Sequence, residues 1–123
     1  MRKDYYSIIV AGSRTFDNYK LLSKTLDDYI EEGTDGKPVC IISGGARGAD
    51  SLGECYAAEK GIPCRIIPAQ WSLWGKAAGM VRNRRMLELA EAVVVFWDGQ
   101  SKGSKNMIEI AKAAGKEIKV VQY

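Results

Sequence analysis

Ile42-Ser43-Gly44-Gly45-Ala46-Arg47-Gly48-Ala49-Asp50 is the stretch from which the rest of this chain can be read. Before it, Pro38 to Ile42 is a short apolar run with β-branched residues; after it, Leu52, Cys55, Tyr56 and Ala57 recur at the spacing of a helix face. A strand passing through a glycine-rich turn into a helix opens a β-α-β unit. Such a turn presents backbone N–H groups and the positive end of a helix dipole, which suits an anion. It is neither a G-x-G-x-x-G fingerprint after the first strand nor a Walker A sequence. Ser43, Gly44, Gly45, Ala46, Arg47 and Gly48 are candidate phosphate-binding positions. Asp50 is a candidate partner for a ribose hydroxyl or a catalytic base, with favourable charge at a helix N-terminus as the alternative.

The same alternation extends in both directions. Apolar runs at Tyr5 to Ala11, Cys64 to Ile67, Ala92 to Trp97 and Ile118 to Tyr123 join the one at Pro38 to Ile42. None alternates cleanly, which suits strands covered on both faces. Helical spacings separate them: Leu22, Leu26, Tyr29 and Ile30; the set after Asp50; Met86, Leu87, Leu89 and Ala90; and Met107, Ile110, Ala111 and Ala114. Gly33, Gly61 and Gly115 follow helical patterns where a left-handed residue is wanted. Gln70 to Gly79 is the longest connection without a pattern. The rhythm predicts an α/β fold: a single Rossmann-like three-layer domain over residues 1–123, with a five-stranded parallel sheet and helices on both faces. Strand order 3-2-1-4-5 is favoured, with a flavodoxin-like order as the alternative.

A chain of 123 residues fits one domain. It has no histidine, which excludes a Ser-His-Asp triad, a Cys-His dyad and His-ligated zinc; no metal site is expected. A net charge of +3 is too mild to imply a polyanion partner by itself. Cys40, Cys55 and Cys64 are widely spaced among apolar neighbours, which predicts buried reduced thiols. Met1-Arg2-Lys3-Asp4 leads into the first run with no cleavage-site pattern, and no apolar stretch nears the ~20 residues needed to span a bilayer. The expectation is a cytoplasmic protein with no membrane partner.

Eight of the thirteen glycines directly follow a strand run or open the next helix: Gly12, Gly44, Gly45, Gly48, Gly75, Gly79, Gly99 and Gly103. In an open α/β sheet those loops share the carboxyl edge, where ligands bind. In the first loop Gly12 permits close approach, Ser13 and Thr15 offer hydroxyls, and Arg14 offers a guanidinium fork. Trp71 and Trp74 are placed to stack on a base, or else to cap the core or meet a second copy. Arg82, Met86 and Leu89 fall on one helix face and Asn83, Leu87 and Ala90 on the next, which brings Arg82 and Asn83 toward the mouth beside Gly79. Arg84 and Arg85 fall on a solvated face. The last turn, Asp98-Gly99-Gln100-Ser101-Lys102-Gly103-Ser104-Lys105, lacks the Lys that Walker A needs directly after its second glycine. It reads as a second anion cradle, with Gly99, Ser101, Gly103 and Ser104 as contacts and Asp98 toward a ribose. In the 3-2-1-4-5 order Gly12 and Gly99 face each other across the crevice.

Taken together, Gly12 to Phe16, Ser43 to Asp50, Ala78-Gly79 with Arg82-Asn83, and Trp97-Asp98-Gly99 with Ser101-Lys102-Gly103 resemble the YspA-like branch of the SLOG superfamily. That superfamily joins the DNA-processing protein DprA (Smf) with the LOG-type cytokinin-activating phosphoribohydrolases. The resemblance implies a Rossmann-like sheet that binds nucleotides or their derivatives at its carboxyl edge, with Gly44, Gly45 and Gly48 in the phosphate-binding turn. Ser43 to Asp50 is similar to the turn of DprA, which implies single-stranded nucleic acid as a further partner. LOG-type enzymes carry a glutamate where Met107 stands here, and Glu109 lies two residues on. The leading expectation is a sensor or accessory module that binds a phosphate-containing nucleotide ligand and requires no other cofactor. The alternatives are a nucleotide N-glycoside hydrolase with Asp50 or Asp98 as catalytic residue, and DprA-like binding of single strands through Arg47, Arg82, Arg84, Arg85, Lys102 and Lys105. Superfamily analogy implies a homodimer.

Overall fold

Strand β1 (Tyr6–Gly12) lies at the centre of a five-stranded parallel sheet of order β3-β2-β1-β4-β5. The other strands are β2 (Val39–Ser43), β3 (Cys64–Ile66), β4 (Ala92–Trp97) and β5 (Glu117–Gln122). The computed structural model describes residues 5–123; the N-terminal reading of Met1 to Asp4 lies outside the described residues. Ile8 pairs with Ile41 on one side and Ala92 on the other, so the first, second and fourth strands carry the registers that hold the sheet together. Their side chains point alternately to two layers. Ile8, Val10, Ile41, Val94 and Phe96 pack beneath α1 (Tyr19–Gly33) and α2 (Ala49–Lys60), with Leu22, Leu26 and Tyr56. Ile9, Ile42, Val93 and Val95 pack beneath α4 (Ala78–Leu89) and α5 (Lys102–Ala113), with Met86, Leu87 and Met107. Two apolar layers explain why these strands read as continuous hydrophobic runs. Fully burying one such side chain contributes ~1.5–3 kcal/mol. Gly53 lets α2 lie close on β1, because a Cβ there would press 2.8 Å from the Val10 side chain.

The edges depart from the sequence expectation. All three β3 residues are exposed and β5 is mostly exposed, because each strand has a neighbour on one side only. Cys64 on β3 and Cys55 on the outer face of α2 are therefore exposed rather than buried, and Cys40 is half-buried. The inner stripe of α4 is Asn83, Met86 and Leu87, with Ala90 just beyond, and Leu89 faces solvent. Ala114 lies past the end of α5 and is exposed, while Ile108 takes a core place. Gly61 and Gly115 adopt left-handed φ values of 68° and 71°, as their positions predict. Gly33 does not: α1 runs through it, Thr34 donates its hydroxyl back to the Ile30 carbonyl, and the chain turns at Asp35 and Gly36. The connection that shows no pattern holds a short helix, α3 (Trp71–Trp74), and a 3-10 turn at Gly75–Ala77. Four residues that bury no side chain leave no periodic trace. No helix among the described residues is long and apolar enough to cross a membrane.

Candidate functional site

β1 feeds a helix on one face of the sheet, and β4, its neighbour, feeds α5 on the other. Loops that diverge at such a switch point leave a crevice beyond the carboxyl ends of the strands. A cleft of about 610 Å³ opens there. Gly12, Ser13, Arg14 and Thr15 form one wall, and Ala46 and Asp50 reach it from the turn before α2. Trp71, Gly79, Arg82 and Asn83 form the opposite wall, and Asp98, Ser101, Gly103 and Ser104 close it from the β4–α5 turn. The structure thus brings fourteen of the sequence candidates to one cavity. Ser43, Gly44, Gly45, Arg47, Gly48 and Gly99 do not line it.

In the turn between β2 and α2 the Gly45 and Ala46 amides and the Gly44 carbonyl are engaged within the chain. The Gly45 N–H donates to Ser43 Oγ (3.1 Å), and the Ala46 N–H donates to Asp50 Oδ2 (3.3 Å). The Ser43 hydroxyl donates to Glu54 (2.7 Å), and Arg82 Nη1 donates to the Gly44 carbonyl. Asp50 is only 5% exposed, and its carboxylate sits where an incoming anion would otherwise meet the turn. Burial pushes its pKa up to about 6, against the pull of the Ala46 amide and the Arg82 guanidinium. Packing accounts for the glycines here. A Cβ on Gly44 would meet Arg82 Nη1 and the Asp50 carboxylate; one on Gly48, at φ 75°, would run into the Ser13 and Arg14 backbone. Gly12 is pinched in the same way between the Phe96 carbonyl and Ala49.

The β4–α5 turn is built differently. Asp98 Oδ1 accepts the N–H groups of Gln100 and Ser101, both at 2.8 Å, which holds its pKa below the ordinary carboxylate value. The Asp98 N–H donates to the buried Ser13 hydroxyl oxygen (3.1 Å), tying the β1 and β4 loops together. Asp98 and Ser13 are therefore braces of the crevice. Beyond them α5 begins at Lys102 with no side-chain cap and no acidic residue in its first turn. The leading N–H groups of a helix have no intrahelical acceptor. The N-terminus of α4, beside Gly79, also lacks a side-chain cap and acids, but the 3-10 turn runs directly into it and the Ala78 N–H donates to the Gly75 carbonyl. A Cβ on Gly103 would meet nothing within 4 Å, and one on Gly79 nothing nearer than 3.9 Å. No neighbour within the chain requires glycine at either place, and both border the cleft.

Lys76, Met80 and Asn106 line the cleft without any signal in the sequence, while Lys102, expected as a single-strand contact, and Met86 and Met107, expected on helix faces, line it too. Asn106 lies one helical turn after Lys102, so projecting the α5 face from Gly103 finds it. Met86 and Met107, each 1% exposed, make an apolar floor. Trp71 is 55% exposed at the rim, and Trp74 and Leu73 are exposed away from it, so neither tryptophan caps the core. Among the described residues, no cluster of Cys, Asp and Glu has a metal-holding arrangement.

The fold and part of the sequence have counterparts. The Gene 61 protein of Mycobacterium phage D29 is 28% identical over 122 residues, with 94% of each chain covered. The X-ray structure of DNA processing protein A (DprA) from Streptococcus pneumoniae superposes with a TM-score of 0.75 at 19% identity. That match covers 94% of this chain and 50% of the DprA chain, so this chain spans half the length of that protein. At such identity the likeness is one of fold. Residues 6–74, from β1 through α3, match the YspA, cpYpsA-related SLOG family. That span is more than half of the chain and holds the β1 loop, the β2–α2 turn and Trp71, and on this match the chain belongs to the YspA, cpYpsA-related SLOG family.

Proposed function

We propose that the cleft binds a nucleotide or nucleotide-derived ligand and that the protein acts as a sensor or accessory module. The carrying observation is the uncapped start of α5, opening with Gly103 onto a cavity of about 610 Å³. Phosphate oxygens accept from the leading amides of α5, with Lys102 beside them and Arg14 and Lys76 across the mouth. The base lies over Met86 and Met107, with Trp71 at the rim to stack on it. A nucleotide or nucleic-acid role fits both the SLOG family and the DprA-like fold.

The test is thermal denaturation against nucleoside mono-, di- and triphosphates, ADP-ribose, NAD and short single-stranded oligonucleotides, with Gly103→Leu as the paired variant. A ligand at a hundred times its Kd adds ~2.7 kcal/mol, a shift of several degrees. A shift with one small nucleotide, lost in Gly103→Leu, supports the reading. A shift with oligonucleotides alone transfers it to single-strand binding. No shift with any of these compounds contradicts it.

One observation favours a second reading. Asp50 is a buried carboxyl at the cleft wall with a pKa near 6, suited to general acid-base work close to neutrality. In that reading Asp50 assists cleavage of a nucleotide's N-glycosidic bond. Asp98, whose carboxyl is held below the ordinary carboxylate value by the Ser101 and Gln100 amides, does not. Release of free base from a nucleoside monophosphate, abolished in Asp50→Asn, would support it; no release by the unaltered protein would end it.

A further inference from the structure

Three side chains cross from α4 to α5 at the cleft in a hydrogen-bond series whose direction is set at one end. Arg82 Nε donates to Asn83 Oδ1 (3.1 Å), and Asn83 Nδ2 donates to Asn106 Oδ1 (3.0 Å). A guanidinium has donors only. Asn83 therefore meets Arg82 with its carbonyl oxygen and turns its NH2 toward α5. Asn106 answers that NH2 with its own oxygen, which turns the oxygen toward Asn83 and leaves the two N–H donors of the Asn106 NH2 uncommitted. Asn106 lines the cleft beside Met86 and Met107. Asn83 is 7% exposed, so solvent has little access to reverse the order. Arg82 is anchored by the Gly44 carbonyl and lies beside the Asp50 carboxylate.

We infer that Asn106 is a specificity-determining residue, offering its NH2 donors to the cleft while its oxygen is turned to Asn83, and so favouring a ligand with a carbonyl oxygen there over one with an amino group. The inference rests on the nucleotide reading above. With phosphate at the start of α5, the group one turn further in meets the base. The ligand class is then a nucleotide with a keto base, and Asn83 is a positioning residue that holds Asn106 in its donor orientation.

The experiment is calorimetric titration with keto and amino pairs, which differ at one exocyclic group and at the proton of the ring nitrogen beside it: inosine against adenosine monophosphate, and uridine against cytidine monophosphate. The unaltered protein should favour the keto member of at least one pair by about tenfold, the discrimination expected of one polar contact made or mismatched. Asn106→Asp keeps the acceptor for Asn83 but presents only oxygen to the cleft, so the ratio should collapse or reverse; an added charge would weaken both members alike, so the ratio is the readout. Asn106→Ala should bring the ratio to about unity, and Asn83→Ala, which frees the Asn106 amide to turn, should do so in part. A ratio unchanged in Asn106→Asp and Asn106→Ala would overturn the inference while leaving nucleotide binding intact, as would a preference of the unaltered protein for the amino members. Failure of the unaltered protein to bind any of the four would overturn this inference, while the nucleotide reading falls only if the whole thermal panel is silent as well.

Discussion

The chain has two glycine-rich strand-to-helix turns that look alike in sequence and differ in construction. After β2, the turn through Gly44 and Gly45 folds back on itself: Ser43 takes the Gly45 amide, Asp50 takes the Ala46 amide, and Arg82 binds the Gly44 carbonyl. After β4, the side chain of Asp98 satisfies the turn proper, and the helix that follows opens uncapped onto the cleft. A glycine-rich turn is an anion site only where its amides lack a partner in the chain. Glycine in the first turn answers a neighbouring atom; Gly103 in the second answers empty space.

The comparison can be broken most forcefully by paired alanines. Gly48→Ala forces a side chain into a left-handed position against the Ser13 and Arg14 backbone and should cost about 3 kcal/mol or more in chemical denaturation. Gly103→Ala adds a methyl in open space within a helix and should change stability by less than about 1 kcal/mol, in the stabilising direction. Equal losses would erase the distinction.

Asp50 gives the next effect. Its carboxyl titrates near 6 when folded and near 3.8 when unfolded. The folded state therefore binds the proton first, and stability from this group grows as pH falls from about 7 to about 4, by up to about 3 kcal/mol. That gain is lost as pH rises through 6. Asp50→Asn should remove it, so the difference in stability between variant and parent should change across this window. A pH-independent difference would show that the carboxyl is not held as described.

Gly103→Leu sharpens the other side of the comparison: nucleotide affinity should fall at least about tenfold with little change in melting. The smallest effect belongs to Asp98→Asn, at a partly exposed position. The carboxylate is stabilised by two amides, so its contribution is present above the unfolded pKa and fades as pH falls through the lower folded value. The midpoint should drop by about 1–2 °C near neutrality and match the parent in acid.

Why the sequence reading succeeded in some places and failed in others follows from burial. The central strands are covered on both faces, so β1 and β4 write themselves as apolar runs, and strict alternation with helices restricts the sheet to few orders. β3 carries an apolar run too, yet as an edge strand it leaves Cys64 and Ile66 exposed. Hydrophobicity records the residue, and exposure records the neighbours. Candidates at the β1 loop and the start of α5 reach the cleft because loop position at the carboxyl edge follows from topology. The engagement of the β2–α2 amides was not legible, because it depends on Asp50 folding back across its own turn and on Arg82 arriving from α4. Asn106 was hidden for a related reason: a polar residue in a helix shows its purpose only when the opposing helix, here through Asn83, is in place.

The most direct test follows the backbone amides by NMR during titration with the nucleotide that gives the largest thermal shift. The expected result is the strongest perturbations at Lys102, Gly103 and Ser104, with Gly45 and Ala46 nearly unmoved. Perturbations centred on Gly44 to Gly48, with the start of α5 silent, would contradict it.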